Sequence, residues 1–506
     1  MADEQQPQVS GTPEEKVTYE EPVIFHEERN RWYHKGLKVF VYQFPAYAHA
    51  DVQLVMVSFV CFLCPGMYNA LSGLGGGGQL GQYKSVVDNA TVALYSCFAV
   101  IGFFSGTVTN RLGAKWTLAI GGIGYGLYSG SLLSFNHNRN GDFVIAAGAI
   151  LGVCASFLWS AQGVIMMAYA TEQTKGRYIA TFWAIFNFGG VIGAIIPLAQ
   201  TINSSNTGSV GDGTYAAFMV LMFLGALLAL LLLPSKKVIK ADGYNVVVRE
   251  RPTWFGEFFA LFKLLKEEPF IILLFPMFWS SNWFYTYQQN QVNLVRFNIR
   301  TRALNSLLYW LAQIVGALTW ALILDIKRWQ RKSRARVYHA VLFIVALAIW
   351  GGGIKFQIIL ENTPADFVPL DWTDESFLGP MFLYMFYGAF DAMWQTYVYW
   401  LMGALTNSTR KLALYAGFYK GIQSAGAAVI WRLDANLMSG KNEFITCWVL
   451  IFASLLIASP VVWTKVDNHT DEEADAMFTV DMHADELHRQ QEKIAQHNEF
   501  VTEAQA

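Results

Sequence analysis

Two side chains stand out by type and place: Asp391 and Lys420, an acid and a base each set inside a run of apolar residues. A charge in such surroundings is expensive and calls for a partner. Pairing would keep both charged where either alone would tend to neutralise. At about 1.5 Å per residue, Asp391 lies about 20 Å from the end of its run and Lys420 about 14 Å, a difference the lysine stem spans. Such a pair is expected either to couple a proton or solute or to be a static structural link. Gly388, Asp391 and Gln395 fall three and four residues apart, on one helix face. Asn282, Tyr285 and Gln289 share a face in the stretch from Pro276 to Asn290, with Pro276 placed to break the helix above them. Asn69 follows Cys64-Pro65-Gly66, and Gln162 lies in another apolar run. Asn69, Gln162, Asn282, Tyr285, Gln289, Asp391 and Gln395 are expected to line a substrate cavity; the plain alternative is bonding between neighbouring helices.

Other chemistry is weakly represented. Cys61 and Cys64 form a C-x-x-C, but no second pair or histidine accompanies them, so they read as packing residues. His469, His483, His488 and His497 are irregularly spaced in a polar tail. No H-x-x-x-H series or nucleophile elbow occurs, and Gly75 to Gly78 lacks the Lys-Ser/Thr of a phosphate loop. No catalytic residue, metal or cofactor is therefore expected, and nothing supports nucleic-acid binding.

The elements that must carry these residues follow from composition. The 506 residues are 54% hydrophobic and only 15% charged, against about 25% charged in soluble domains. The apolar residues gather into blocks of about 20, the length that crosses a bilayer core as helix. Continuous runs without alternation select helices over a barrel. Spans are predicted near 52–74, 87–109, 116–135, 142–170, 178–202 and 214–234. A second set follows near 270–292, 303–325, 337–359, 377–404, 411–434 and 442–463. The expected layout is a disordered tail (1–50), a six-helix bundle (51–234), a central loop (235–268), a second six-helix bundle (269–463) and an acidic tail (464–506). The polar first fifty residues leave no cleavable signal, so the first span is expected to act as the anchor.

Basic residues fix the orientation. Lys35, Lys38, Arg111, Lys115, Lys175, Arg177, the central loop, Lys327 to Arg336, Arg410 and Lys411 all fall on one side in the alternating count. Both termini and the central loop are therefore expected in the cytosol. Arg296, Arg300 and Arg302 fall on the other side, an exception that the rule does not explain. Asn203, in an N-x-S sequon on that side, is the glycosylation candidate.

A shift of 233 residues lays Gln162 on Gln395, Arg177 on Arg410, Gly193 on Gly426, and Phe182 and Phe186 on Tyr415 and Tyr419. Asn187 falls on Lys420. This fits parallel six-helix repeats with a substrate site between them near the midplane. The loop Gly106, Asn110, Arg111, Gly113, Lys115 resembles the signature loop of the major facilitator superfamily, its glycines allowing close approach and a tight turn. A degenerate copy recurs at Asp325, Lys327 and Arg328.

A closer resemblance lies in Cys64 to Gln79, Trp159-Ser-Ala-Gln162-Gly163, Ser281 to Gln288, Asp391-Ala-Met-Trp394-Gln395 and Gly417 to Gly426. These are similar to the fungal Unc-93-like branch of the major facilitator superfamily, over roughly residues 50–463. The resemblance implies the twelve-helix fold and a transport role. With the polar residues above, the expectation is an unidentified small solute moved by alternating access, with proton coupling through Asp391 and Lys420. Some relatives in the family are accessory or trafficking proteins, so the alternative is an accessory subunit that binds a partner membrane protein. The resemblance carries no catalytic residues. Plasma membrane and endomembrane are not distinguished.

Overall fold

The computed structural model describes residues 31–39, 42–170, 175–203, 209–240, 254–324, 328–364, 367–406 and 409–468. The apolar blocks become helices that run back and forth across one slab. The first six are α1 (Ala50–Gly73), α2 (Lys84–Leu112), α3 (Ala114–Asn138), α4 (Gly141–Ala168), α5 (Lys175–Thr201) and α6 (Asp212–Ala229). The seventh, α7, is broken into Pro269–Ser280 and Tyr287–Leu294. Then come α8 (Ile299–Leu324), α9 (Arg331–Glu361), α10 (Leu378–Leu405), α11 (Thr409–Ala435) and α12 (Gly440–Thr464). The protein is thus an all-α membrane protein of twelve helices in two six-helix bundles.

Eight of these, α1 to α6, α9 and α12, are long and apolar enough to cross a membrane. The other four all belong to the second half and carry most of its buried polar side chains. The outer surface is apolar, with Val100, Leu227, Ile344 and Val449 each more than half exposed; lipid is the solvent that makes such a surface stable.

Each half closes round its own core. Leu118, Leu151, Leu158 and Phe218 lie at the centre of the first. The second is built on large rings, among them Tyr287, Trp350, Tyr387 and Phe444. Across the interface α2 packs on α11 and α5 on α8. These pairings exchange when each helix is replaced by its counterpart six places along, as a repeat related by an axis through the slab requires. Tyr95 of α2 packs against both cores.

Two helices are interrupted at matching places. In α1, Phe62–Gly66 forms a wide turn at Pro65, whose missing N–H prevents the regular bond. In α7, the first stretch ends at Ser280 and wide i→i+5 turns follow over Tyr287–Leu294. Both ends of the described chain lie on one face of the slab, called here the terminal face; the loops after α1, α3, α5, α7, α9 and α11 form the far face.

Four expectations are corrected. Residues 31–49, read as part of a disordered tail, contain an antiparallel hairpin pairing Gly36–Val39 with Tyr42–Ala46, and Ala50 N–H donates to Ile239 O. The central loop holds a helix, Trp254–Glu267, hidden because its apolar run is too short to span a bilayer and is interrupted by Glu257 and Lys263. The seventh span is broken as expected, but after Ser280 rather than at Pro276. Gly113 turns the chain between α2 and α3 at φ +80°, as the signature loop requires, but Gly106 faces open space and brings no helix close. Lys115 lies over the Trp116 ring at 6.0 Å, and Arg111 is exposed. The Asn110 side chain, Asp325, Lys327, residues 1–30 and the histidines from 469 onward lie outside the described residues.

Candidate functional site

Asp391 sits at the middle of α10 with none of its surface exposed. Its Oδ2 is the meeting point of three donors from two helices: Tyr285 Oη at 2.8 Å from α7, Tyr309 Oη at 3.2 Å from α8, and Gln313 Nε2 from α8. Tyr309 Oη also lies 2.9 Å from Gln288 Oε1, so one hydroxyl proton stands between two acceptors. One turn along α10, Gln395 Nε2 reaches Asp391 Oδ1 at 3.4 Å and donates to Ser281 O at 2.8 Å. That carbonyl is available because α7 is broken there. Buried polar atoms must be paired, and the break supplies an acceptor that a regular helix would have used internally.

From Gln395 the network runs to Lys420. Tyr419 Oη donates to Gln395 Oε1, and Gln423 Nε2 donates to Gln395 Oε1 at 3.2 Å and to Asn282 Oδ1 at 2.9 Å. Lys420 Nζ donates to Gln423 Oε1 at 3.0 Å. The direct ion pair expected between Asp391 and Lys420 is therefore not formed. The ammonium instead rests over the rings of Tyr419 (5.1 Å), Trp159 (5.5 Å) and Tyr399 (5.7 Å). Rings stabilise a cation without a counter-ion, and two amides and a tyrosine occupy the gap. Trp159 belongs to α4 and Tyr95 of α2 bonds Asn282, so the network touches the first half on two helices.

The other expected cavity residues fall elsewhere. Gln289 lies at the far face, accepting from Ser72 Oγ at 2.7 Å. Gln162 is buried on α4 and donates to Met166 Sδ at 3.5 Å. Asn69 is half-buried in α1. Asn203 is exposed at the far face.

The far face holds a second constellation that sequence reasoning passed over. Gly75 to Gly78 all take left-handed φ, from +50° to +77°, and the loop they form enters the interface. A Cβ on Gly75 would stand 2.2 Å from Gln289 O, so only glycine fits. Asn290 Oδ1 accepts from Gly76 N–H at 2.9 Å, and Asn293 Nδ2 donates to Gly73 O at 2.8 Å. Arg302 donates to Leu74 O and Gly75 O, each at 2.8 Å. Beside the loop, Lys84 and Asp88 of α2 meet Asp434 of α11 and Glu443 of α12. Most hydrogen bonds joining the halves between described residues lie on this side of the slab.

This arrangement accounts for the three arginines that broke the charge rule. Arg302 clamps the glycine loop. Arg300 Nε donates to Asp371 Oδ2 at 2.7 Å and its Nη1 to Ile202 O at 3.1 Å, across the halves. Arg296 donates to Thr363 Oγ1 at 3.1 Å, lies 4.2 Å over the Phe367 ring, and lines a surface cleft of about 310 Å³. Burial pushes the Asp371 carboxyl up, but hydrogen bonds from Arg300, Asn298 and Thr373 outweigh it and hold the group well below the usual carboxylate range.

Solved structures share this architecture. A D-xylose–proton symporter superposes with a TM-score of 0.58 over 83% of this chain and 100% of its own, at 13% identity, a likeness of fold alone. Sequence relatives are closer. An UNC93-like protein of Schizosaccharomyces pombe is 50% identical over 446 residues, 88% of each chain. UNC93-like protein 1 of Arabidopsis thaliana is 41% identical over 428 residues, 83% of this chain and 92% of its own. The family model described as "Ion channel regulatory protein UNC-93" matches residues 89–462. With three quarters of its length inside that match and half of the 446 aligned residues identical to those of a fungal relative, this chain belongs to the UNC-93 family and has the major facilitator fold.

Proposed function

We propose that the protein moves a small polar solute across the membrane by alternating access, with Asp391 as the proton-accepting group and Lys420 coupled to it through Gln395, Tyr419 and Gln423. The observation that carries this reading is one-sidedness: a hydrogen-bonded seal joins the halves at the far face, above a buried polar network that touches both halves. Rocking of the halves would break that seal and offer the network to the other side. The tyrosine hydroxyls and glutamine amides around Asp391 can re-pair with a polar solute, and the aromatic walls suit its apolar portion. The solute is small and uncharged or singly charged on this reading, since one acid and one base face each other across the site.

The distribution of basic residues supports a cytosolic terminal face. A glycan on Asn203, detected as a mobility shift after endoglycosidase, would mark the far face as lumenal or extracellular. The functional test uses full-length protein in liposomes with an imposed proton gradient and a panel of sugars, amino acids and ions. Uptake that Asp391→Asn abolishes, while the variant folds and inserts normally, is the expected result. Undiminished uptake by both Asp391→Asn and Lys420→Met would refute the coupling role. The family description favours a second reading, a regulatory subunit for a partner channel; stoichiometric co-purification of a channel, with no uptake from the panel, is the result that selects it.

A further inference from the structure

The charged cluster at the far face is built differently from a simple ion pair. Asp88, Asp434 and Glu443 are fully buried, none with any exposed surface. Lys84 Nζ lies 3.0 Å from Asp88 Oδ2 and also bonds Asp434 Oδ1. Asn290 Nδ2 donates to Asp88 Oδ1 at 2.9 Å and to Asp434 Oδ2 at 2.7 Å. Gln291 Nε2 donates to Asp434 Oδ1 at 3.0 Å and to Glu443 Oε1 at 2.7 Å. Three carboxyls thus share one ammonium and two amides. If all three were ionised the cluster would carry two uncompensated negative charges away from water, which is prohibitive.

A second observation identifies what is missing. Glu443 Oε2 is buried and has no hydrogen-bond donor. Glu443 Oε1 and Asp434 Oδ1 share the single donor Gln291 Nε2, so the two carboxyls lie side by side. Two carboxyls so placed away from water are stabilised when one of them holds a proton. The neighbouring titratable groups do not supply a compensating charge. Tyr128 from α3 faces Asp88, while Tyr287 and Cys447 face Glu443, and these are neutral groups. The nearby cations turn elsewhere, Arg432 to Asn89 Oδ1 at 2.7 Å and Lys441 to Glu361 at 3.6 Å.

We infer that Lys84, Asp88, Asp434 and Glu443 form a proton-binding latch, separate from Asp391, that holds two protons when the halves are joined at the far face. Lys84 and Asp88 belong to the first half, and Asp434 and Glu443 to the second. Parting the halves brings water to all four and lets the two protons leave. Closing therefore takes up protons from the far side and opening releases them, so the closed arrangement gains as pH falls and loses as pH rises. The inference rests on the alternating-access reading for its two conformations, but not on any solute being carried.

The test measures the distance between spin labels on the full-length protein in lipid nanodiscs. Asn138→Cys and Ser376→Cys place labels on exposed far-face positions in opposite halves. Cys97→Ser removes the one native cysteine that is not buried. Two protons predict that the ratio of closed to open populations changes by up to about 100-fold per pH unit in the titrating range. Glu443→Gln and, independently, Asp88→Asn should each lower that slope to about tenfold, and the double variant should flatten it. Asp391→Asn should leave it intact. A flat wild-type response between pH 5 and 9 overturns the proposal. So does an unchanged slope in both single variants, or loss of the slope in Asp391→Asn. A response that follows replacement of sodium by choline at constant pH overturns the identity of the ligand as a proton. A titrating latch in protein that transports nothing from the panel supports the latch and counts against transport alone.

Discussion

The two halves of this molecule are copies in architecture and opposites in content. Displaced by 233 residues, Leu158 in the first half stands where Asp391 stands in the second, Phe186 where Tyr419 stands, Asn187 where Lys420 stands and Gly190 where Gln423 stands. Gln162 and Gln395 do match, yet Gln395 joins a network of four side chains while Gln162 bonds a methionine sulfur. In the first half Phe182 and Phe186 stack at 5.9 Å, and Trp159 meets Phe186 edge-on at 5.4 Å. The outer face of that aromatic wall is what Lys420 rests on. Duplication supplies matching helices, and divergence makes one half the apolar platform and the other the polar machinery. This is also why all six helices of the first half pass as membrane spans by apolarity and only two of the second do.

Exchanging the residues that differ tests the contrast, and the largest effect is expected from Leu158→Asp. It places a carboxyl among apolar side chains with no donors, and should cost about 4 kcal/mol or more. Its converse, Asp391→Leu, strands the donors that converge on Oδ2 and should cost about 3 kcal/mol. Thermal unfolding in detergent, followed by intrinsic fluorescence, measures both; equal and small shifts would mean the halves are not specialised in this way. A smaller change is expected from Tyr309→Phe, which removes one hydroxyl shared between Asp391 and Gln288 and should cost about 1 kcal/mol, while Asp391-dependent uptake persists at a reduced rate. The smallest concerns the far-face ion pair outside both cores. Because the folded Asp371 carboxyl is held below the ordinary range, its pairing with Arg300 contributes fully above the usual carboxylate pKa of about 4 and fades as pH falls from there through the depressed folded pKa. Asp371→Asn should therefore lower thermal stability slightly at pH 7 and by less near pH 2, as unfolding at the two pH values would show.

The sequence made the spans legible because bilayer thickness and backbone hydrogen bonding leave little freedom. Asp391, Asn282, Tyr285 and Gln395 were legible for a similar reason, since polar groups on one face of an apolar helix must meet something. Gln289 was misplaced because wide turns after Tyr285 rotate the face away from a 3.6-residue period. Lys84, Asp88, Asp434 and Glu443 were hidden by position. Each lies at or near a span end, where a charge ordinarily anchors a helix at the interface, and only the folded chain brings residues 350 positions apart into contact. The arginines misled for the converse reason: they were read as markers of topology, whereas they serve as clamps.

The glycine loop has a thermal consequence. Four consecutive residues fixed in left-handed backbone give up conformational entropy worth on the order of 1–2 kcal/mol each at room temperature, and glycine has the most to lose. When the halves part at the far face, some of that freedom returns to the loop while its bonds to Asn290 and Arg302 are surrendered. On the alternating-access reading, opening is thus uphill in enthalpy and helped by disorder, so warming alone would shift the balance toward an open far face.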